Sequence, residues 1–167
     1  MSAAFSNRLP DGRLHLHHGP IDLICEAWGP PDLIEAGYLQ VQRRFDGLLE
    51  ELVAELSALR HANMALFGKI ARAMGRAVAP FHPAFITPMA AVAGAVAEEV
   101  LAAMVRPGIT RAYVNNGGDI ALHLTAGAQF DCALADSGNQ ITVRFEDSAR
   151  GDSNVGLARA QLVFGDC

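Results

Sequence analysis

The chain has 167 residues, 51% of them hydrophobic, and a net charge of -5, so it can bury one sizeable core and reads as a single domain. Acids and bases are interspersed without a basic run, which argues against nucleic acid or an anionic membrane surface as the main partner and points to a small molecule or another protein. Cys25, Cys132 and Cys167 are odd in number with no paired spacing, and residues 1–10 lack the apolar core of a signal peptide; both fit free thiols in a reducing cytoplasm.

Arg13 to His17 alternates with period two, Gly19-Pro20 follows, and Ile21 to Cys25 resumes an extended pattern. This predicts a two-stranded opening element. Pro30-Pro31 then breaks the chain before a long helix over about Ala36–Leu59, on which Phe45, Leu49, Leu52, Leu56 and Leu59 form one apolar stripe. The stripe suits packing on the protein's own sheet, and it also suits a coiled-coil homo-oligomer, although the heptads are few. A less regular helix is expected around Leu66–Val78, ended by Ala79-Pro80. A second long helix is expected from Pro88, behind Thr87 as N-cap, to about Val105, before Arg106-Pro107-Gly108. Ala90, Ala93, Gly94 and Ala97 give that helix a face of small residues that would admit a close neighbour. The apolar run 84–97 is interrupted by Thr87 and Pro88 and is too short and alanine-rich to span a bilayer, which needs about twenty apolar residues. Strands are expected at Ala112–Val114, Ile120–Leu124, Phe130–Leu134 and Ile141–Phe145, with turn residues at Ala126-Gly127 and Ser137-Gly138-Asn139.

The most informative segment joins two of these strands: Asn115-Asn116-Gly117-Gly118-Asp119. Paired glycines permit positive φ and close approach of a ligand to backbone, and a carboxylate at Asp119 would orient that ligand by accepting a hydrogen bond or holding a cation. The same residues also make an ordinary Asn-Gly hairpin turn. Elsewhere, His15 and His17 would project from one strand face, but no second cluster at ligand spacing accompanies them, so no metal site is assigned. No phosphate loop, nucleophile elbow or dinucleotide fingerprint is present. Cys25 and Cys132 lie in apolar strands as inert thiols, and Glu98 and Glu99 are expected at the surface.

Two segments together carry a resemblance. His82-Pro83-Ala84-Phe85-Ile86-Thr87-Pro88-Met89 with the following Ala90 to Ala97, and Tyr113 to Ile120, resemble an uncharacterised branch of the ApbE-like, or FAD:protein FMN transferase, superfamily. The second segment matches that superfamily's Asn-x-Gly-Gly-Asp element, and the likeness covers about Leu9–Gly151 as one domain. The resemblance implies an α+β fold, two long helices packed on a largely antiparallel sheet, and a cleft of flavin-nucleotide size bordered by Gly117-Gly118. It implies FAD as ligand, with Asn115, Asn116, Gly117, Gly118 and Asp119 as the cofactor-binding candidates. In full-length members Mg²⁺ assists transfer of FMN to a protein threonine, through ligands largely in a later Asp-Ala-x-x-Thr element. That element is absent from residues 1–167. A non-catalytic ligand-binding or partner-binding domain is the alternative.

The tail bears on that absence. In this branch a segment like GIATSGWRGRSLSLGIA is expected after Arg150, and codons permitted for residues 151–167, read one base forward, spell that segment. The expectation is therefore a frameshifted, non-native tail over residues 152–167 and loss of the family's C-terminal part, with a natural short tail as the alternative.

Overall fold

In the computed structural model, which describes residues 4–136, 139–146 and 159–163, the alternating opening segment becomes strands β2 (Leu14–His18) and β3 (Ile21–Trp28). Their turn places Gly19 at φ 58°, and the antiparallel register pairs Leu14 with Cys25 and Leu16 with Leu23. Period-two alternation sends Leu14, Leu16, Leu23, Cys25 and Ala27 to one face, where all are buried. Strand β1 (Phe5–Arg8), which the sequence pattern does not announce, adds at the edge of β2. All four of its residues are exposed, so backbone pairing rather than apolar burial holds it there.

The helix expected over Ala36–Leu59 is a correction: it starts earlier and is broken. Helix α1 (Pro31–Phe45) begins on a proline, which loses nothing at a first-turn position. It ends where Asp46 turns extended and Gly47 takes φ 78°, and α2 (Leu48–Ala54) and α3 (Leu56–Leu59) follow. Asp46-Gly47 is a helix-stop signal that outweighs the continuing apolar periodicity. The break rotates the stripe, so that Phe45, Leu48, Leu52 and Leu59 are buried while Leu49 and Leu56 are only half-buried.

Helix α4 (Lys69–Val78) packs Ile70, Ala71 and Met74 inward and runs into a 3₁₀ turn at Ala79–Phe81. The Glu55 carboxylate accepts the backbone N–H groups of Phe67 and Gly68, the two residues that lead into α4, and so anchors the entry to the helix. The second long helix also begins differently from expectation. Pro88–Ala91 is a 3₁₀ turn, and α5 (Val92–Met104) is the regular part. Thr87 has the extended backbone of an N-cap, but its hydroxyl makes no capping hydrogen bond.

Strands β4 (Arg111–Asn116) and β5 (Asp119–Leu124) complete an antiparallel five-stranded sheet of order β1-β2-β3-β4-β5. Helix α5 lies against β4 and β5 and crosses α1, placing Val96, Val100 and Met104 in one core with Leu23, Cys25, Val41, Phe45 and Val114. Strands β6 (Gln129–Asp136), β7 (Asn139–Glu146) and β8 (Arg159–Val163) form a second antiparallel sheet. The fold is therefore α+β. Ser137 and Gly138 of the anticipated turn lie outside the described residues. So does most of the expected tail over 152–167; its residues 159–163 are β8, paired with β7. Among the described residues no helix is long and apolar enough to cross a membrane.

Candidate functional site

Asn116 and Asp119 close the hairpin between β4 and β5 as a directly opposed pair, leaving Gly117 and Gly118 as its two-residue loop. Their φ values of 61° and 107° match the turn whose twist suits an antiparallel hairpin. Both glycines are demanded by positive φ, not by crowding, since a Cβ on either would meet nothing within 4 Å. The loop thus presents open backbone to its surroundings.

The two asparagines face different tasks. Asn115 Oδ1 accepts the Gly118 N–H at 2.9 Å, which stiffens the loop. Asn116 Nδ2 donates to the Ala93 carbonyl at 3.0 Å, which ties the hairpin to the first turn of α5. Asp119 is exposed at the start of β5 and takes part in no ion pair among the described residues. The five candidate residues are therefore brought together on one hairpin, with Asn115 and Asn116 used in shaping it and Asp119 projecting from it.

The small-residue face of α5 behaves unlike the expectation drawn from its alanines. Ala97 is buried, Ala93 serves the hairpin through its carbonyl, Ala90 is exposed, and a Cβ at Gly94 would meet nothing within 4 Å. Close approach is made instead at Gly37 of α1, where a Cβ would stand 2.8 Å from the Met104 carbonyl oxygen of α5. A lone glycine inside a helix was the available signal.

A cleft of about 290 Å³ lies between the 62–66 segment, the end of α4 and the 82–88 segment, with Met64, Leu66, Val78, His82, Phe85 and Ile86 among its walls. The hairpin residues do not line it. A more polar basin, lined by Arg43, Arg44, Lys69 and Glu99, sits where α1, α4 and α5 meet. Glu99, expected at the surface, has a side chain only 10% exposed, 2.7 Å from Arg44 and 2.8 Å from Lys69. Burial raises its pKa, but the hydrogen bonds from Lys69 and Arg44 outweigh burial and leave it below the usual carboxylate value. Arg44 also reaches Glu51 at 2.8 Å.

The histidines of β2 separate. His15 Nε2 lies 2.7 Å from Asp22 across the hairpin, His17 is exposed, and His18 is buried beside Phe45. Among the described residues, no three His, Cys, Asp or Glu side chains converge as a metal site requires. Cys25 is buried, and burial pushes its thiol up to about 12, which keeps it protonated and unreactive. On the opposite sheet face, Trp28, Tyr113 and Phe130 form an aromatic cluster with ring separations of 5.3 to 6.1 Å, and the Arg111 guanidinium stands 4.5 Å from the Trp28 ring centre. No spacing rule links these residues in sequence; strand register brings Trp28 opposite Arg111.

The chain matches the family described as AbpE bacteria over residues 6–166. It belongs to that family. The match covers nearly the whole chain, including the hairpin, helices α1 to α5 and the stretch beyond Gly151. No curated protein and no solved structure matches this AbpE bacteria member.

Proposed function

We propose that this protein is a cytoplasmic, ApbE-like domain related to FAD:protein FMN transferases, and that it binds a flavin nucleotide or a similar small ligand at the Asn115–Asp119 hairpin. One observation carries the reading: an Asn-x-Gly-Gly-Asp order in which two bare, positive-φ glycines adjoin an exposed carboxylate on a hairpin latched to a helix. The residues suit the hydroxyl-rich part of a nucleotide. Open glycine backbone lets a ligand approach, and the Asp119 carboxylate accepts hydrogen bonds from hydroxyl or ring N–H donors. Asn115 fixes the loop conformation through Gly118, so little ordering remains to be done on binding.

Binding, rather than transfer, is the expected property of residues 1–167, because the Asp-Ala-x-x-Thr element is absent from them. The shifted-frame reading of residues 152–167 belongs to the same proposal. It expects an Asp-Ala-x-x-Thr element in the alternative frame of the gene downstream of codon 151, and nucleotides encoding none there would remove it.

The test of the site is thermal unfolding of parent and Asp119→Ala with FAD, FMN and ADP. A ligand that binds only the folded state stabilises it by about 2.7 kcal/mol at one hundred times Kd. FAD should raise the parent's midpoint in a saturable way and raise the variant's much less, while both unfold cooperatively without ligand. Equal stabilisation of the two proteins would remove Asp119 from the site, and no stabilisation by any nucleotide would overturn the reading.

A further inference from the structure

Charge is unevenly distributed along this acidic chain. No Asp or Glu occurs between Glu55 and Glu98, whereas Arg60, Lys69, Arg72 and Arg76 all fall in that interval. Helix α4 carries three of these cations at spacings of three and four, which makes them one stripe. All three are exposed, opposite the buried Ile70, Ala71 and Met74. Lys69 is paired with Glu99, but Arg72 and Arg76 take part in no ion pair among the described residues.

The same region exposes large apolar side chains. Phe67 is 77% exposed, Phe81 60% and Phe85 87%. Phe67 stands just before α4, Phe81 closes the turn that follows it, and Phe85 lies in the next loop. A helix of this length spans roughly 15 Å, so aromatic rings flank the cationic stripe at both ends. Leaving such rings in water forgoes the free energy of burying them, and three of them on the segments flanking one cationic helix mark an interaction surface.

We propose that α4 and its flanking loops dock on an anionic lipid surface, with Arg72 and Arg76 against the headgroups and Phe67, Phe81 and Phe85 at the acyl boundary. Charge complementarity selects an anionic occupant: Glu55 is engaged by the Phe67 and Gly68 N–H groups and Glu99 by Lys69 and Arg44, whereas the exposed Arg72 and Arg76 take part in no ion pair among the described residues. The exposed rings belong to three places along the chain, before α4, at the end of the turn that follows it and in the next loop, and Phe85 lines a cleft. A fluid interface closes around each ring, whereas a protein partner would need a matching socket for every one. The net charge of -5 acts against long-range attraction, so binding is confined to this face within about one Debye length, roughly 8 Å in physiological salt.

Co-sedimentation of the full chain with phosphatidylcholine vesicles, and with vesicles containing phosphatidylglycerol as well, tests the proposal. Binding is expected to the mixed vesicles only, weakening as salt is raised. The double variants Arg72→Glu/Arg76→Glu and Phe67→Ser/Phe85→Ser should each lower the partition coefficient by roughly tenfold or more. Because all four side chains are exposed, thermal midpoints should match the parent's. Equal binding to neutral vesicles, binding to neither, or variants that bind like the parent would overturn the proposal. So would lipid-independent self-association abolished by Phe85→Ser, which would give the face to a second copy, or salt-sensitive capture of an oligonucleotide in place of vesicles.

Discussion

A Cβ on Gly37 would stand 2.8 Å from the Met104 carbonyl oxygen, where α1 crosses α5, whereas one on Gly94 would meet nothing within 4 Å. The two glycines lie inside helices, yet their substitution by alanine should act in opposite directions. At Gly94 only intrinsic propensity changes, so Gly94→Ala should stabilise the protein by about 1 kcal/mol. At Gly37 backbone must move, and the overpacking cost of about 1 to 3 kcal/mol exceeds the propensity gain. Denaturant melts of the two variants should bracket the parent midpoint. Both moving the same way would show that helix spacing does not decide the outcome. Sequence pattern pointed to Gly94 because alanines surround it, but a stripe of small residues records only that a neighbour is permitted. Which glycine meets another backbone is fixed by the crossing of α1 and α5, a tertiary fact with no local signature.

The β4–β5 hairpin was legible almost to the residue, since Asn-Gly-Gly-Asp between apolar runs has few alternatives. Its connection to α5 was not legible. Asn116 Nδ2 donates to the Ala93 carbonyl from a strand position 23 residues away, and no periodicity reports such a bond. Asn116→Ala should therefore cost about 1 kcal/mol through the lost hydrogen bond while leaving the Gly117-Gly118 turn intact. Hydrogen exchange is the sensitive readout. Amides of β5 and the first turn of α5 should exchange faster, and those of β2 and β3 should not change. Uniform acceleration across the sheet would mean that the bond supports the whole domain and not the hairpin. The broken helix teaches the complementary lesson: apolar spacing continued across Asp46-Gly47, and a local αL glycine overrode it.

Across the whole molecule, strand alternation and helix stripes announced the sheet and core, whereas contacts among elements distant in sequence arose only on folding. Glu99 is the clearest case. It gathers Lys69 of α4 and Arg44 of α1, and Arg44 holds Glu51 of α2, so one partly buried network spans four helices. In sequence, Glu98-Glu99 looks like two equivalent surface acids, and only helix rotation separates the exposed Glu98 from the sheltered Glu99. The network makes stability depend on acid in a definite direction. With the folded pKa of Glu99 held below its ordinary value of 4.5, the stabilisation is complete above that value and is lost as pH falls through the lower folded value. Glu99→Gln removes the charge and keeps the shape, so it should cost about 1.5 to 3 kcal/mol near neutral pH, the usual worth of a charge-assisted hydrogen bond. That deficit should narrow as pH falls below the ordinary carboxylate value and through the lower folded one, where the parent's own Glu99 becomes neutral. Urea midpoints of both proteins across this range give the comparison. A constant gap between the two curves would mean that packing at position 99, rather than the carboxylate charge, holds the four helices together.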